Sequence, residues 1–214
     1  FGAIHVDGAE RLARAAGAHG LSRLVHISGI GSDRASASAY VAARGEGERR
    51  VRAVFPQATV LRPSVLFGPG DAFLSALDGV ARLPVVPLFG RGATRLQPVL
   101  VDDVAAAVVR VLQRPETAGR VFELGGSEVL TYRHALAAVM AHRGRWRPLL
   151  PVPFAVWRGL AGVLAVLPNP PLTRDQLALL ARDNVADPTL PGFGELGLAP
   201  AGLREKLAAA LGEA

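Results

Sequence analysis

The chain has 214 residues, of which half are hydrophobic and a fifth are charged, and this length can hold one domain with a sizeable core. The absence of cysteine excludes disulfides, thiol nucleophiles and cysteine-ligated metals. The net charge of +6 permits an anionic partner such as a dinucleotide or a lipid surface. The arginines are spread over the whole chain and the five histidines lack metal-ligand spacing, so we expect neither a nucleic-acid partner nor a metal site.

Two elements open the chain. Apolar residues at helical spacing predict a helix over Val6–Ala18, which Gly20 closes. The short apolar run Leu24–Ile27 is typical of a strand that a parallel sheet buries on both faces, and its His26 is expected to be a satisfied core residue. Small residues end this strand, namely Ser28, Gly29, Gly31 and Ser32.

A helix follows this strand, and Ser36 or Ser38 can cap it. Tyr40 and Arg44 are four residues apart on that helix and therefore share one face. The sequence thus predicts a phenol and a permanent cation beside the carboxyl end of a parallel strand. Open α/β sheets bind their ligands at this edge.

The next strand is predicted at Ala58–Leu61, and it runs into the segment Arg62–Asp71. Pro63 ends the strand, and two glycines around a proline force an irregular loop at 68–70. Taken alone, this segment indicates a tight loop that closes a helix onto the sheet. A cofactor-binding loop is the alternative, and we prefer it because the segment follows the Tyr40–Arg44 helix.

The remaining chain alternates predicted helices with predicted strands. Polar residues that can begin helices precede three of them, including a capping-box pattern at Thr173–Gln176. The predicted elements are a helix Ala72–Leu83, an extended segment Pro84–Phe89, a strand Gln97–Val101, a helix Val104–Gln113 capped by Asp102 or Asp103, a strand Arg120–Leu124, a helix Tyr132–His142 capped by Thr131, a helix after Thr173, and a helix Leu203–Leu211.

Two segments leave alternatives open. Arg143–Arg147 is either a solvated connector, which we favour, or a site for phosphate or a lipid headgroup. Phe154–Leu167 is apolar apart from Arg158 and too short to span a bilayer, which takes about 20 residues. We favour a buried helix for this segment, and the alternative is an apolar docking face for a membrane or a large partner.

The pattern Tyr40-Val-Ala-Ala-Arg44 after a strand that ends in Ser28 resembles the active-site segment of the short-chain dehydrogenase/reductase superfamily. The run Arg62-Pro-Ser-Val-Leu-Phe-Gly-Pro is similar to a signature of its extended and atypical members. In that family the tyrosine gives or takes the proton and a lysine, here Arg44, holds the nicotinamide ribose. A catalytic Ser or Thr usually stands where this chain has Ile30.

The resemblance implies a set of functional residues. Tyr40 and Arg44 would be catalytic. The residues implied in binding NADP or NAD are Ile27, Ser28, Gly29, Tyr40, Arg44, Pro63, Ser64 and Val65, the Pro-Ser-Val backbone lying against the nicotinamide.

An ordered set of segments in the last third narrows the resemblance. The segments are Leu150–Phe154, Thr173–Gln176, Asp183–Asn184 and Leu190–Gly197. Together they resemble the atypical group that contains the NAD(P)H-binding accessory subunit of respiratory complex I and its bacterial relatives. That group binds its dinucleotide tightly and has no clearly assigned turnover.

The superfamily's Gly-x-x-Gly-x-x-Gly phosphate loop is missing from these 214 residues. The resemblance therefore implies that roughly 80 to 100 residues are absent at the front, since a βαβ unit takes about 30 residues. We expect a fragment that binds a dinucleotide poorly by itself and exposes a sheet edge.

We therefore predict an α/β protein with a Rossmann-type doubly wound parallel sheet, incomplete at the N-terminus, and a small C-terminal helical lobe. Residues 1–125 would belong to the NAD(P)-binding domain and residues 126–214 to the lobe. The first functional hypothesis is a non-catalytic or weakly catalytic dinucleotide-binding module of complex I or quinone metabolism. The alternatives are an active reductase, epimerase or dehydratase that uses Tyr40 as its acid/base, and a docking protein. We expect it in the cytoplasm, peripheral at the inner membrane.

Overall fold

The computed structural model describes residues 1–166, 168 and 172–212. They form two compact units, each built from separate stretches of the chain. The first contains Phe1–Ser64, Val101–Gly125 and Ala186–Pro200, and the second contains Val65–Leu100, Gly126–Val185 and the residues from Ala201 onward. The predicted boundary between residues 125 and 126 stays a prediction, and the compact units group the chain differently.

The first unit opens with a π-helical segment and holds three helices and three strands. In chain order these are the π-helical segment Gly2–Gly8, α1 (Ala9–Ala18), β1 (Val25–Ile27), α2 (Ala39–Val54) and β2 (Thr59–Pro63), with α4 (Val101–Gln113), a 3-10 turn Pro115–Thr117 and β7 (Val121–Leu124) further along. The strands form one parallel sheet in the order β1-β2-β7. The parallel α/β arrangement predicted from the sequence is confirmed.

In the sheet of the first unit, β2 and most of β7 are buried beneath helices. The first strand, β1, was predicted to be buried on both faces but is only partly buried. Val60, Leu61, Phe122 and Leu124 in β2 and β7 are fully buried. The helices α1 and α2 pack on each other through a small cluster that includes Ala13, Val51 and Phe55, while α4 contacts β1 and β2.

The second unit combines short strands with five helices. They are β3 (Leu66–Phe67), α3 (Ala72–Val80), β4 (Val86–Phe89), β5 (Arg95–Leu96), β6 (Val99–Leu100), β8 (Leu130–Thr131), α5 (Tyr132–His142), β9 (Leu149–Val152), α6 (Phe154–Leu164), α7 (Arg174–Leu180) and α8 (Leu203–Leu211). The pairs β3-β6 and β4-β9 are parallel, and β5-β8 is antiparallel. Side chains from α3, α5 and α8 share one hydrophobic core with these strands.

Helix beginnings follow the predicted caps in most cases. Ser38 accepts a hydrogen bond from the backbone N–H of Val41 at 3.4 Å, and Thr131 caps α5. The capping box between Thr173 and Gln176 is present at the start of α7. The hydroxyl of Thr173 thus satisfies one of the unpaired N–H groups at the start of that helix.

Four predicted elements need correction. The first helix does not start at Val6, because the π-helical segment precedes α1. The predicted strand Gln97–Val101 is replaced by β5 and β6. Asp102 and Asp103 do not cap α4, since that helix already begins at Val101 and places both in its first turn. The loop predicted at 62–71 contains β3, which pairs with β6.

A fifth correction concerns α6, which is not a buried helix. Ala161 is its one buried residue within the described side chains, and Leu167, the predicted end of this segment, lies outside the described residues. No helix in the described part of the chain is both long and apolar enough to cross a bilayer.

Candidate functional site

The carboxyl ends of the parallel strands meet at one edge of the first unit's sheet. The backbone N–H of Ile30, three residues beyond β1, donates to the carbonyl of Pro63 at 3.1 Å. The N–H of Ser64 donates to the carbonyl of Leu124 at 2.9 Å. The loop after β1 and the turn after β2 are therefore held side by side, at the edge where open α/β sheets bind ligands.

The serines of the loop after β1 serve the loop itself. Ser28 is 1% exposed, and its hydroxyl lies 2.9 Å from that of Ser32. The Ser32 hydroxyl donates to the carbonyl of Gly29 at 2.8 Å, so the Ser28 hydroxyl must be the donor to Ser32. Both hydroxyl hydrogens are thereby engaged within the loop, and Ile30 offers none.

Tyr40 and Arg44 form a stacked pair on α2. The guanidinium carbon of Arg44 lies 5.1 Å from the centroid of the Tyr40 ring, within the range of a cation–π interaction. The same guanidinium lies against the α-carbon of Gly29, where a side-chain carbon would overlap its Nη1 atom. Glycine at position 29 thus lets Arg44 join Tyr40 to the loop after β1.

The Arg44 side chain carries a buried donor that the described protein does not satisfy. Its Nε atom is buried and has no hydrogen-bond partner among the described residues. A buried donor left unpaired costs about 1–3 kcal/mol, so this atom can gain from an acceptor on a ligand. A ribose hydroxyl would be such an acceptor, and the residues present therefore fit a dinucleotide at this point.

Ile27 and Val65, which were also predicted to bind the cofactor, belong to different units. Ile27, the last residue of β1, is 43% exposed. Val65 belongs to the second unit, where its N–H donates to the side-chain oxygen of Asn184 at 2.8 Å and its carbonyl accepts from Val99 N at 3.0 Å. Both main-chain groups of Val65 are used by the protein, and its contact with nicotinamide stays a prediction.

Sequence reasoning missed His5 as a neighbour of Tyr40. The two rings meet edge-on with centroids 5.6 Å apart. Burial and then the positive charge of Arg44 hold the pKa of His5 below its usual value of 6.5. The π-helical segment Gly2–Gly8, which contains His5, packs closely on α2 because Gly47 has no side chain. A side-chain carbon at position 47 would overlap the His5 carbonyl. A glycine inside a predicted helix can signal such a close approach.

A buried ion-pair network behind the site was also missed. Arg62 donates to the Glu48 carboxylate through Nε at 3.0 Å and Nη2 at 2.6 Å, and lies 3.6 Å from Glu123. Glu48 and Glu123 are 5% and 7% exposed, and Glu123 also accepts from the N–H of Asp187. Hydrogen bonding to Glu48 raises the pKa of Arg62. The network ties α2, which carries Tyr40, to β2 and β7.

His26 in β1 is not the satisfied core residue that was predicted. It is half-buried, and no described group hydrogen-bonds to its ring. Burial lowers the pKa of His26 from 6.5; Arg44 and His5 act in the same direction, while Glu48 opposes them. Folding therefore favours the neutral ring.

This shift predicts a loss of stability in mild acid. The unfolded chain takes up a proton as the pH falls below 6.5, whereas the folded chain resists it, so the free energy of unfolding decreases with pH from there down to the folded pKa. His26→Gln should reduce the difference between urea midpoints at about pH 7.5 and about pH 5. The exposed His19→Gln is the control, and an unchanged pH dependence in His26→Gln would contradict the assignment.

The sequence is similar to a known protein family and to individual proteins. The model of the NAD dependent epimerase/dehydratase family matches residues 1–125. The chain is 32% identical over 203 residues to the mitochondrial NADH-ubiquinone oxidoreductase 40 kDa subunit of Neurospora crassa, covering 94% of the chain and 53% of that subunit. It is 35% identical over 116 residues to the ceramide reductase of Caulobacter vibrioides, covering 54% of the chain and 36% of that enzyme.

The fold has relatives among solved structures. MoeE5 in complex with UDP-glucose and NAD superposes with a TM-score of 0.66 at 17% identity, covering 97% of this chain and 69% of that one. The likeness confirms the Rossmann-type fold class. The chain spans about half the length of the Neurospora crassa subunit that it matches. With more than half of its residues matched by one family model, the chain belongs to the NAD dependent epimerase/dehydratase family.

Proposed function

We propose that this chain forms the nicotinamide end of a dinucleotide-binding module with little or no turnover, linked to respiratory complex I or quinone metabolism. One observation carries the proposal. The Arg44 guanidinium is stacked on Tyr40 and laid against Gly29 at the carboxyl edge of a parallel sheet, with a buried Nε that lacks a partner among the described residues. Such an arrangement suits an uncharged hydroxyl acceptor beside an aromatic ring.

The proposed ligand is NADP or NAD. The family is named for its NAD dependence, and MoeE5, which shares the fold, holds NAD. Ile27, Ser28, Gly29, Tyr40, Arg44, Pro63 and Ser64 would hold the nicotinamide end of the molecule. When bound, the dinucleotide would supply a hydride donor or acceptor. Arg44 would orient the ribose, and Tyr40 would stand where a proton can be given or taken.

The state of the hydroxyl groups at the site is the reason to propose low turnover. Enzymes of this kind pair their tyrosine with a Ser or Thr hydroxyl, and Ile30 cannot provide one. The neighbouring serines have no free hydroxyl hydrogen either, because Ser28 donates to Ser32 and Ser32 donates to the carbonyl of Gly29. The likeness to a complex I subunit over 94% of the chain supports a place in that assembly.

An active reductase is the second candidate, and the ceramide reductase relative favours it. Tyr40 would be its acid/base, and the two candidates differ in what Tyr40→Phe does. For a module without turnover, the variant should change NADPH binding little, because phenylalanine keeps the ring that Arg44 lies over. Hydride transfer to quinone or ketone acceptors should stay at the buffer rate in both proteins. If the wild type transfers hydride and Tyr40→Phe slows it by about 10²-fold or more, the protein is an enzyme. Stopped-flow absorbance of the protein expressed from its native gene measures both quantities.

The exposed face of α6 supports a docking role for the same module. Val156, Leu160 and Val163 follow helical spacing and are 57%, 43% and 71% exposed. The neighbouring face of α6 is anchored, because the Trp157 indole N–H donates to the carbonyl of Leu88 at 3.1 Å. We propose that this outer face, part of the predicted segment Phe154–Leu167, holds the protein at an inner-membrane surface or at the respiratory complex.

This docking role predicts the effect of polar substitution on α6. The triple variant Val156→Ser, Leu160→Ser, Val163→Ser should lose most co-sedimentation with inner-membrane vesicles, because each lost apolar side chain removes about 1–2 kcal/mol of burial. Val109→Ser, at a residue that is 54% exposed on α4, is the matched control and should sediment like wild type. Vesicles stripped of complex I distinguish the lipid from the complex. Equal sedimentation of the triple variant and wild type would exclude this face as the anchor.

A further inference from the structure

The second unit contains a polar cavity that plays no part in the proposed dinucleotide site. Its volume is about 350 Å³, and its lining includes Ser75, Asp78, Arg82 and Arg143. This volume falls at the lower end of small-molecule pockets, which run from about 300 to 1,000 Å³. The cavity can therefore hold a small polar molecule.

A single buried carboxylate organises the arginines of this cavity. Asp78 is 6% exposed and accepts from Arg82 Nη2 at 2.9 Å, from Arg145 Nη1 at 2.9 Å and from Arg143 Nε at 3.3 Å. Burial by itself would raise the pKa of Asp78, but hydrogen bonds from Arg82 and Arg145 hold it below its usual value of 3.8. The carboxylate is therefore charged at neutral pH and fixes the direction of the guanidinium groups.

Among the described residues that contact Asp78, positive charge exceeds negative charge. Arg143 also donates to the carbonyl of Leu211 at 3.0 Å, so it is not included among the charges that face Asp78 alone. Arg82 and Arg145 still bring two positive charges to one carboxylate. Each makes one side-chain hydrogen bond within the described part of the chain, to Asp78, although a guanidinium carries five N–H donors. Surplus charge and unused donors in a half-enclosed cavity favour an anion with several acceptor oxygens.

We propose that this cavity binds a phosphoryl group carried by a small molecule or by a lipid headgroup. A phosphomonoester brings close to two negative charges and three acceptor oxygens, which match the planar donors of Arg82 and the hydroxyl of Ser75. Arg145 holds Asp78 in place while Arg82, whose side chain is 68% exposed, closes on the ligand. The cavity is too large for the phosphoryl group alone and leaves space for the group that carries it.

Titration with glycerol 3-phosphate tests the proposal on the full chain. Wild type should show a saturable rise in melting temperature, because ligand that binds only the folded state stabilises it. Arg82→Gln should weaken the apparent affinity by about tenfold or more, since it removes a charge-assisted hydrogen bond to the phosphoryl group. Arg14→Gln is the matched control, because Arg14, like Arg82, is an exposed arginine paired with a carboxylate four residues earlier. The affinity of this variant should not change.

A second arm distinguishes the two sources of the phosphoryl group. Binding to vesicles of phosphatidylcholine with phosphatidic acid, but not to phosphatidylcholine alone, that is lost in Arg82→Gln supports a lipid headgroup. Saturation by glycerol 3-phosphate without vesicle binding supports a soluble ligand. The proposal is wrong if neither probe binds saturably or if Arg82→Gln responds like wild type. Arg82 is exposed, so this variant should fold, and its melting temperature without ligand checks that it does.

Discussion

Replacing Arg62 with leucine is expected to destabilise the protein by about 3–5 kcal/mol, the cost of leaving buried charges without their partner. Arg62 is the one cation that the structure places between Glu48 and Glu123 in the described residues, and both carboxylates are nearly inaccessible to water. Leucine would fill part of the space but leave two carboxylates facing each other. Urea unfolding followed by circular dichroism measures the change in unfolding free energy.

The control for this prediction is Arg120→Leu. Arg120 pairs with Glu195 at 3.0 Å, but both side chains are 41–50% exposed, and such surface pairs contribute about 0–1 kcal/mol. If Arg62→Leu costs no more than Arg120→Leu, the network around Arg62 does not hold α2 to the sheet, and the position of Tyr40 needs another explanation.

Replacing Arg44 with methionine is expected to weaken NADPH binding by roughly 10- to 100-fold, because a hydrogen bond from a charged donor contributes about 1.5–3 kcal/mol. Methionine keeps much of the apolar stem of arginine but removes the Nε atom and the charge that lies over Tyr40. The structure offers Gly29 and Tyr40 as the surfaces that position this guanidinium. Quenching of NADPH fluorescence measures the dissociation constant.

Two further variants test whether NADPH binding depends on the positive charge of residue 44 and on the place of that residue on α2. Arg44→Lys keeps the charge on a flexible stem and should restore much of the affinity. Arg49 lies on the same helix, where it is an exposed partner of Glu46. Arg49→Met should therefore bind NADPH as wild type does. Full affinity in Arg44→Met would remove Arg44 from the site.

The order of strands and helices in the first unit could be predicted because local chemistry determines it. Short apolar runs before glycine or proline predict β1 and β2, and a serine before a helical pattern predicts the start of α2. The pairing of β1 with β2 in parallel follows from the helix between them. These same elements bring the loop after β1 beside Pro63, as the resemblance implied.

The rest depends on contacts between distant parts of the chain. Nothing in the residues around Glu48 or Glu123 indicates that both meet Arg62, since they are 14 and 61 positions away from it in sequence. The exposure of α6 could not be read either, because an apolar helix has the same composition whether it faces a core or a partner. The strands of two residues in the second unit leave too short a pattern to detect.

The central claim is that Tyr40, Arg44 and the Pro63–Ser64 turn line the nicotinamide end of a dinucleotide site. A crystal structure of the protein, expressed from its native gene and grown with NADPH, measures this directly. We predict density for the nicotinamide ribose within hydrogen-bonding distance of the Arg44 guanidinium, and for the nicotinamide ring against Pro63 and Ser64. A dinucleotide bound elsewhere, with the Arg44 Nε atom still unpaired, would contradict the account.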